Sequence, residues 1–352
     1  MIIEELAERL VEFQAENPVK TLLILLAATV FIMPGALKME IKPSTEAVLP
    51  QDDPVVESLD SLRAKFYGDT TYVVFKATDV RDAELLKDME RIGNRLEKME
   101  NVRGTQSPAD LLKRRYGRVP EDPDTLESFD YRGTVSDNYR TAVMSVRTDT
   151  QANSAEIKKL NRQIETAIAA ESPAAETALT GYNMIDLATF QVIISDFIRI
   201  TGVSFLAVLA VLYATFRDVK RIFLPLTVVV FAMLWMLGLG GWLGADLTII
   251  SMVSAAMIMG LGIDFGIHVT KKYYSTPGGK DGLSRTMVEL SRGLLGGSLT
   301  TAVGFLALLF ANLAGMHSLG IFLFTGILSA YIGSVVLLPA IIMLVEGGET
   351  VI

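Results

Sequence analysis

Residues 258–268 read Ile-Met-Gly-Leu-Gly-Ile-Asp-Phe-Gly-Ile-His, and they lie inside an apolar run that extends from 247 to 270. A helix of about 20 apolar residues is long enough to cross a hydrocarbon core of roughly 30 Å. The stretch therefore predicts a membrane span. It also places an acidic residue, Asp264, within that span.

Similar apolar runs lie on both sides of this one, at 19–36, 197–216, 222–243, 294–313 and 319–344. We therefore expect six spans, an arrangement that places both termini on one side of the membrane. The first run also resembles the core of a cleaved signal peptide, but five glutamates precede it where such a peptide is basic. We favour a retained span, with residues 1–18 forming a cytoplasmic amphipathic helix at the interface.

Basic residues mark one side of the predicted membrane protein. They occupy the loops after the second and fourth spans: Arg217, Lys220 and Arg221, then Lys271, Lys272, Lys280, Arg285 and Arg292. The turns at 241–246 and 312–318 contain no lysine or arginine. The positive-inside rule therefore predicts that the basic loops face the cytoplasm, and that these two turns and the large polar segment face outward. We expect a multi-pass protein of the plasma (cytoplasmic) membrane. Both termini, including a tail at 347–352, are expected in the cytoplasm.

The polar segment at 37–195 has the pattern of an α+β domain. Strand-like stretches occur at 71–77, 102–105, 141–147 and 178–181, while 82–99 and a helix capped by Asn153 have helical periodicity. Two βαβ units predict an extracytoplasmic, ferredoxin-like porter domain, with 116–130 inserted between its halves. A five-span bundle at 196–346 is expected to follow it.

Composition excludes several classes of protein. The chain has a net charge of -8 and no basic stripe, which argues against nucleic acid as a partner. It has no cysteine and only two distant histidines, so disulfides, thiol chemistry and a zinc site are not expected. No nucleophile and base arrangement and no phosphate-binding glycine loop occurs, so we expect neither an enzyme nor a cofactor. An ion gradient remains as the energy source.

Asp264 is the strongest candidate for a functional residue. An aspartate at the centre of a spanning helix costs about 2.5 to 3.5 kcal/mol on insertion scales, so such residues usually have a function. We expect it to face protein or water, and to carry protons. The alternative is that Asp264, on the cytoplasmic half of the span and roughly 10 Å inside Lys271, extends its carboxylate toward the interface. His268 lies one turn further on the same side, where it would relay protons or, equally, sit at the interface beside Lys271.

Hydroxyl groups and glycines on the fourth and fifth spans complete the predicted relay. Ser298, Thr300 and Thr301 are candidates to hydrogen-bond the carboxylate, although hydroxyls in spanning helices often bond to their own backbone. Gly262 with Gly266, and Gly293 with Gly297, have the spacing that allows two helices to approach closely.

A series of motifs resembles the resistance-nodulation-division (RND) superfamily, and within it the MMPL-type hydrophobe and amphiphile exporters. In order, they begin at Thr180-Gly-Tyr, Phe216-Arg-Asp, Leu224-Pro-Leu, Gly260-Leu-Gly-Ile-Asp-Phe-Gly-Ile-His, Thr300-Thr-Ala-Val-Gly-Phe-Leu-Ala-Leu and Leu338-Pro-Ala. The resemblance implies proton-driven export of lipids or other hydrophobic compounds. The family's G-x-x-x-D pattern falls on Gly260 and Asp264, which gives Asp264 the proton-carrying role.

This chain departs from the family pattern in two ways. Phe265 stands where the family commonly has tyrosine, which removes that hydroxyl from a relay. In addition, one repeat of six spans stands where typical members have two, so we expect a homodimer, with a homotrimer as second choice. A lipid- or sterol-sensing module and a protein-translocation motor like the SecDF pair are alternative functions, because they share this architecture.

Overall fold

The computed structural model describes residues 2–42, 48–50, 53–58, 61, 70–148, 154–276 and 279–346. These residues form two compact units. One, the helical bundle, comprises Met1–Gln51 and Val192–Ile352, and the other, the sheet domain, comprises Asp52–Gln191. Asn153, the predicted helix cap, and the predicted tail at 347–352 lie outside the described residues.

Two helices begin the chain. Helix α1 spans Ile2–Glu16, and α2 spans Pro18–Ile32 and continues as a 3-10 turn over Met33–Lys38. Part of α1 packs on the bundle, because Val11 is 1% exposed and Gln14 is fully buried. The Gln14 side chain donates a hydrogen bond from Nε2 to the carbonyl of Val335, 3.2 Å away.

Residues 54–58 of the sheet domain are helical. Four strands and four further helices are described between Thr70 and Gly181. They follow the order β1 (Thr70–Lys76), α3 (Ala83–Leu96), β2 (Val102–Gln106), α4 (Pro108–Tyr116), α5 (Pro123–Ser128), β3 (Thr141–Thr148), α6 (Ser154–Glu171) and β4 (Glu176–Gly181). Polar side chains begin the shorter helices. Asp82 accepts from two backbone N–H groups at the start of α3, and Ser107 with Asp110 forms a capping box at the start of α4.

The strands form one antiparallel sheet in the order β2-β3-β1-β4. Alternate residues of β1 point inward, so that Val73 and Phe75 are fully buried. They pack in one core with apolar residues of α3 and α6, among them Leu85, Met89 and Ile164. The predicted strands and helices therefore occur, with ends shifted by a few residues. The insertion predicted at 116–130 contains the end of α4 and all of α5.

Helices α7 to α12 complete the bundle. Their bounds are α7 (Tyr182–Phe216), α8 (Val219–Trp242), α9 (Ser254–Ser275), α10 (Gly279–Leu306), α11 (Ala314–Ile332) and α12 (Leu338–Glu346), with a π-helical turn over Gly333–Leu337 between the last two.

Six helical segments in the described residues are long and apolar enough to cross a membrane. They are Pro18–Lys38, Met184–Phe216, Arg221–Trp242, Ser251–Ser275, Gly279–Phe310 and Ala314–Val345. This number agrees with the sequence prediction. Two helices begin well before the predicted spans, at Met184 rather than 197 and at Gly279 rather than 294. Hydropathy marks only the apolar part of a helix, and these helices continue into polar sequence.

Candidate functional site

Asp264 lies in the middle of α9, on the side of the helix that the described residues leave uncovered. Gly260, Asp264 and His268 are all exposed, and their spacing of four residues places them along one face. The stripe continues to Met257 and Lys271, which are also exposed. We call this stripe the Asp264 face. No described residue forms an ion pair or a hydrogen bond with the Asp264 carboxylate.

The opposite side of α9 packs closely against its neighbours. A Cβ added at Gly266 would lie 2.7 Å from the Cα of Pro225 in α8, a separation that real Cβ atoms do not adopt. A Cβ added at Gly262 would lie 3.3 Å from the Cβ of Ala330 in α11. These two glycines therefore allow α9 to approach α8 and α11, rather than α10 as their spacing suggested.

The candidate hydroxyl groups of α10 bond to their own helix. Ser298 is buried and donates to the carbonyl of Leu295, 3.0 Å away. Thr300 donates to the carbonyl of Gly296 at 2.9 Å, and Thr301 donates to that of Gly297 at 2.8 Å. The structure therefore does not bring these hydroxyls onto Asp264 within the described part of one chain. Each hydroxyl oxygen keeps a lone pair for a further donor.

A second uncovered strip runs along α10. A methyl group added at Gly293, Gly296, Gly297 or Gly304 would meet no described residue within 4 Å, and the same is true of Gly260 on α9. Exposed Thr300 and Val303 lie between these glycines. We call this strip the α10 glycine strip. Small side chains on a spanning helix allow another helix to approach closely.

Phe265 fills a different role from its charged neighbour. Its ring is only partly exposed, and it packs against the apolar clusters of the bundle. Phe265 therefore contributes packing and, lacking a hydroxyl, no relay group.

Sequence reasoning missed a polar cluster at the opposite end of the bundle from Lys271. Lys42 Nζ lies 2.6 Å from Asp246 Oδ2, and Asp246 Oδ1 accepts from the backbone N–H of Glu40 at 3.1 Å. The backbone N–H of Asp246 donates to Ser318 Oγ, 3.1 Å away. The only sequence signal was an aspartate in a glycine-rich turn that lacks basic residues. These contacts hold the chain segment after the first span against the turn between α8 and α9, and they hold that turn against the first turns of α11.

The sheet domain has its own charged groups, which serve its structure. A hydrogen bond from Arg81 lowers the pKa of Asp79, and burial raises the pKa of Asp88. Burial also raises the pKa of Tyr131 to about 12, while its hydroxyl donates to the carbonyl of Leu126. Among the described residues, no group of three or more acidic, histidine or cysteine side chains could hold a metal ion.

These features define a multi-pass membrane protein whose bundle of spanning helices carries an acidic residue in mid-span. The profile of the MMPL family matches residues 47–349, so the chain belongs to the MMPL family. The family resemblance deduced from the sequence motifs is thereby confirmed.

Similar proteins occur in distant organisms. MJ1562 of Methanocaldococcus jannaschii, whose name describes it as a membrane protein, is 26% identical over 371 residues, which cover 98% of this chain and 95% of that protein. The hopanoid transporter HpnN of Rhodopseudomonas palustris is 27% identical over 143 residues, 40% of this chain and 16% of that protein. A Niemann-Pick type C1-related protein of Toxoplasma gondii is 27% identical over 145 residues, 41% of this chain and 12% of that protein. The chain therefore matches only a small part of the last two proteins.

Proposed function

We propose that this protein exports lipids or other hydrophobic, amphiphilic compounds, and that a proton gradient drives export through Asp264. The observation that carries the proposal is the position of Asp264. Its carboxylate lies ten residues into a spanning helix, is exposed, and has no cation or hydrogen-bond donor among the described residues. Such a carboxylate is costly in a membrane unless protons or another chain compensate for it.

The comparisons support the class of cargo. Membership of the MMPL family and similarity to a hopanoid transporter favour a hydrophobic substrate. The export direction and the proton as coupling ion belong to the proposal. They rest on the mid-span carboxylate and on the energy of a transmembrane ion gradient, about 2.3 kcal/mol per charge for every 100 mV.

We propose that a second copy of the chain packs against the Asp264 face. Two spanning helices approach most closely through small residues, and both the Asp264 face and the α10 glycine strip expose glycines. Pairing around a two-fold axis would place the Asp264 carboxylate near the free lone pairs and hydroxyls of Thr300 and Thr301 in the other copy. Protonated Asp264 would donate a hydrogen bond there, and ionised Asp264 would not. We therefore favour a homodimer over a homotrimer.

The sheet domain is proposed to be an extracytoplasmic, ferredoxin-like porter domain. With α4 and α5 taken as an insertion between β2 and β3, its βαββαβ order and antiparallel β2-β3-β1-β4 sheet support that assignment. The orientation rests on the basic residues, including Arg217, Arg221 and Lys271, which gather on one side of the bundle. On this basis, both termini are cytoplasmic and the membrane is the plasma membrane.

The proposed cycle uses the charge on Asp264 as its switch. Protonation removes the charge and lets the carboxyl donate a hydrogen bond across the dimer interface, which stabilises one arrangement of α9 and α10. Release of the proton on the other side restores the charge and destabilises that arrangement. Movement of the bundle then opens or closes the porter domain around an amphiphile.

A lipid-binding module that needs no gradient is the second candidate. An apolar groove of about 550 Å³ favours it; the groove is lined by residues of α2, α8 and α12 and of the π-helical turn, among them Leu26, Phe223, Phe231 and Ile341. Such a groove fits a lipid chain. Binding there would continue without Asp264 and without a pH difference.

Reconstituted vesicles separate the two candidates. The protein is placed in liposomes that contain a fluorescent lipid, a pH gradient of either sign is imposed, and lipid movement between leaflets is followed by quenching. Export predicts movement that depends on the sign of the gradient and stops when an uncoupler is added. Movement or binding that is equal with and without the gradient would favour the lipid-binding module.

A further inference from the structure

A groove between α3 and α6 of the sheet domain is open on the surface and positively charged. Its volume is about 560 Å³. The lining includes four cationic side chains, Arg95, Lys158, Lys159 and Arg162, around the carbon atoms of Met99 and Ala167. We call it the cationic groove. Neither the family assignment nor the proposed role of Asp264 explains it.

Three cations on α6 have no acidic partner in the part of the chain that the structure describes. Lys158, Lys159 and Arg162 are exposed, and none forms an ion pair with a described residue. Lys158 and Arg162 are four residues apart on the same helix, a spacing at which like charges destabilise it. An anion bound between them would relieve this repulsion.

Two acidic side chains described near the groove do not neutralise the cations on α6. Glu171 accepts from both Arg91, at 3.0 Å, and Arg95, at 2.6 Å. Glu165 lines a different cavity, which it shares with Ser172 and Leu179. Lys158, Lys159 and Arg162 therefore line the cationic groove without an acidic partner among the described residues.

The floor of the groove is apolar. Ala167 is 3% exposed and belongs to the core of the sheet domain, and Met99 is partly buried against that core. A free inorganic anion would leave this floor in water. A ligand that combines an anionic head with a short stretch of hydrocarbon would contact both parts.

From these observations we infer that the cationic groove binds the headgroup region of an anionic amphiphile, with its phosphate or carboxylate between Lys158 and Arg162 and the adjoining carbons on Met99 and Ala167. The binding itself does not depend on proton coupling. The further statement that the cationic groove binds cargo during export rests on the proposed function.

Calorimetric titration of the full chain tests the inference. The protein is placed in phosphatidylcholine nanodiscs without a gradient and titrated with water-soluble dihexanoyl phosphatidic acid, with empty nanodiscs subtracted. Dihexanoyl phosphatidylcholine supplies the same chains without net charge, and inorganic phosphate supplies the charge without chains. We expect both to bind at least about tenfold more weakly than the phosphatidic acid, a difference of 1.4 kcal/mol.

Two double variants with reversed charges, one in the cationic groove and one outside it, provide the matched comparison. The double variant K158E/R162E is expected to weaken phosphatidic acid binding by at least about tenfold, because two charge-assisted contacts become repulsive. The double variant R114E/R115E makes the same change of charge on exposed residues of α4 and should bind like the wild type. Circular dichroism and exclusion chromatography confirm that both variants are folded.

Three results would overturn the inference. They are equal affinity of K158E/R162E and wild type for phosphatidic acid, binding of phosphatidylcholine as tight as that of phosphatidic acid, and binding of inorganic phosphate as tight as that of the amphiphile. Because no gradient is present, failure here leaves the role of Asp264 standing. Conversely, failure of proton-driven export leaves this binding site standing.

Discussion

Lys42 Nζ and Asp246 Oδ2 lie 2.6 Å apart, and this ion pair fastens the segment that leaves the first span to the turn between the third and fourth spans. Two backbone hydrogen bonds run beside it, from Lys42 to the carbonyl of Leu247 and from Leu247 to that of Glu40, both 2.9 Å long. In the proposed cycle, these contacts would transmit a movement of α8 and α9 to the segment that follows the first span and leads into the proposed porter domain.

Replacing Asp246 by alanine should loosen that connection. The substitution removes both the ion pair and the acceptor for the backbone N–H of Glu40, so the local free energy of opening should fall by about 1–2 kcal/mol. Amide hydrogen exchange at Lys42 and Leu247 should then be roughly 5- to 30-fold faster. Asp281→Ala, at the exposed start of α10, is the control. Unchanged exchange in Asp246→Ala would mean that the ion pair does not hold this segment.

Alanine substitutions at two glycines of α9 should differ in their effect on stability. Gly266→Ala forces a Cβ against Pro225, so we expect a loss of stability of about 1–3 kcal/mol, typical of overpacking. The methyl group of Gly260→Ala meets no described residue of the same chain within 4 Å, so this substitution should not destabilise the folded monomer. Thermal unfolding in detergent measures both. A Gly266→Ala protein as stable as the wild type would contradict the close packing of α8 and α9.

A bulky side chain introduced on the α10 glycine strip should dissociate the proposed dimer without unfolding the chain. A Cβ added at Gly297 meets no described residue within 4 Å in one chain, but the leucine of Gly297→Leu would separate two copies that pack through this strip. Gly202→Leu on α7, also in open space, is the matched control. Light scattering of the detergent complex should show a dimer for the wild type and the control, and a monomer for Gly297→Leu. A wild-type monomer, or a Gly297→Leu dimer, would argue against pairing through this strip.

Acid should weaken the sheet domain near Asp79. Hydrogen bonding to Arg81 lowers the pKa of Asp79 in the folded state, so its contribution is present above the unfolded pKa and is lost as the pH falls through the lower folded value. The pair is partly exposed, so we expect only about 0.2–1 kcal/mol. Hydrogen exchange at Val80, measured from pH 5 down to pH 3, should lose more protection in the wild type than in Asp79→Asn. Asp124→Asn should behave as the wild type, and identical pH profiles for Asp79→Asn and wild type would refute this role.

Much of the fold follows from local patterns. Six apolar runs predict six spans, and the alternation around Val73 or the helical period through Leu85, Met89 and Ile92 predicts the elements of the sheet domain. These signals are local because a helix or strand that buries one face repeats apolar residues at a fixed spacing in its own sequence. Where a spanning segment begins in polar sequence, as at Met184, no such signal marks its start. The predicted start, at 197, was therefore wrong by more than one helical turn.

The candidate site was less predictable because it depends on which side of a helix is covered. Gly262 and Gly266 have the spacing of a close helix pair, but only the packing of α8 and α11 reveals which helix they meet. Thr300 and Thr301 donate to carbonyls of their own helix, an alternative that their identity alone does not exclude. The contact between Gln14 and Val335 joins residues 321 positions apart, a separation at which no local pattern operates.

Proton flux through reconstituted protein tests the role of Asp264 most directly. Wild type, Asp264→Asn and the control Asp281→Asn are placed in liposomes that contain a pH-sensitive dye and a fluorescent lipid, and a pH gradient is applied. We expect wild type and Asp281→Asn to move protons and lipid together, while Asp264→Asn loses both, because an amide cannot bind and release a proton. Coupled movement of protons and lipid by Asp264→Asn at the wild-type rate would contradict the proposal.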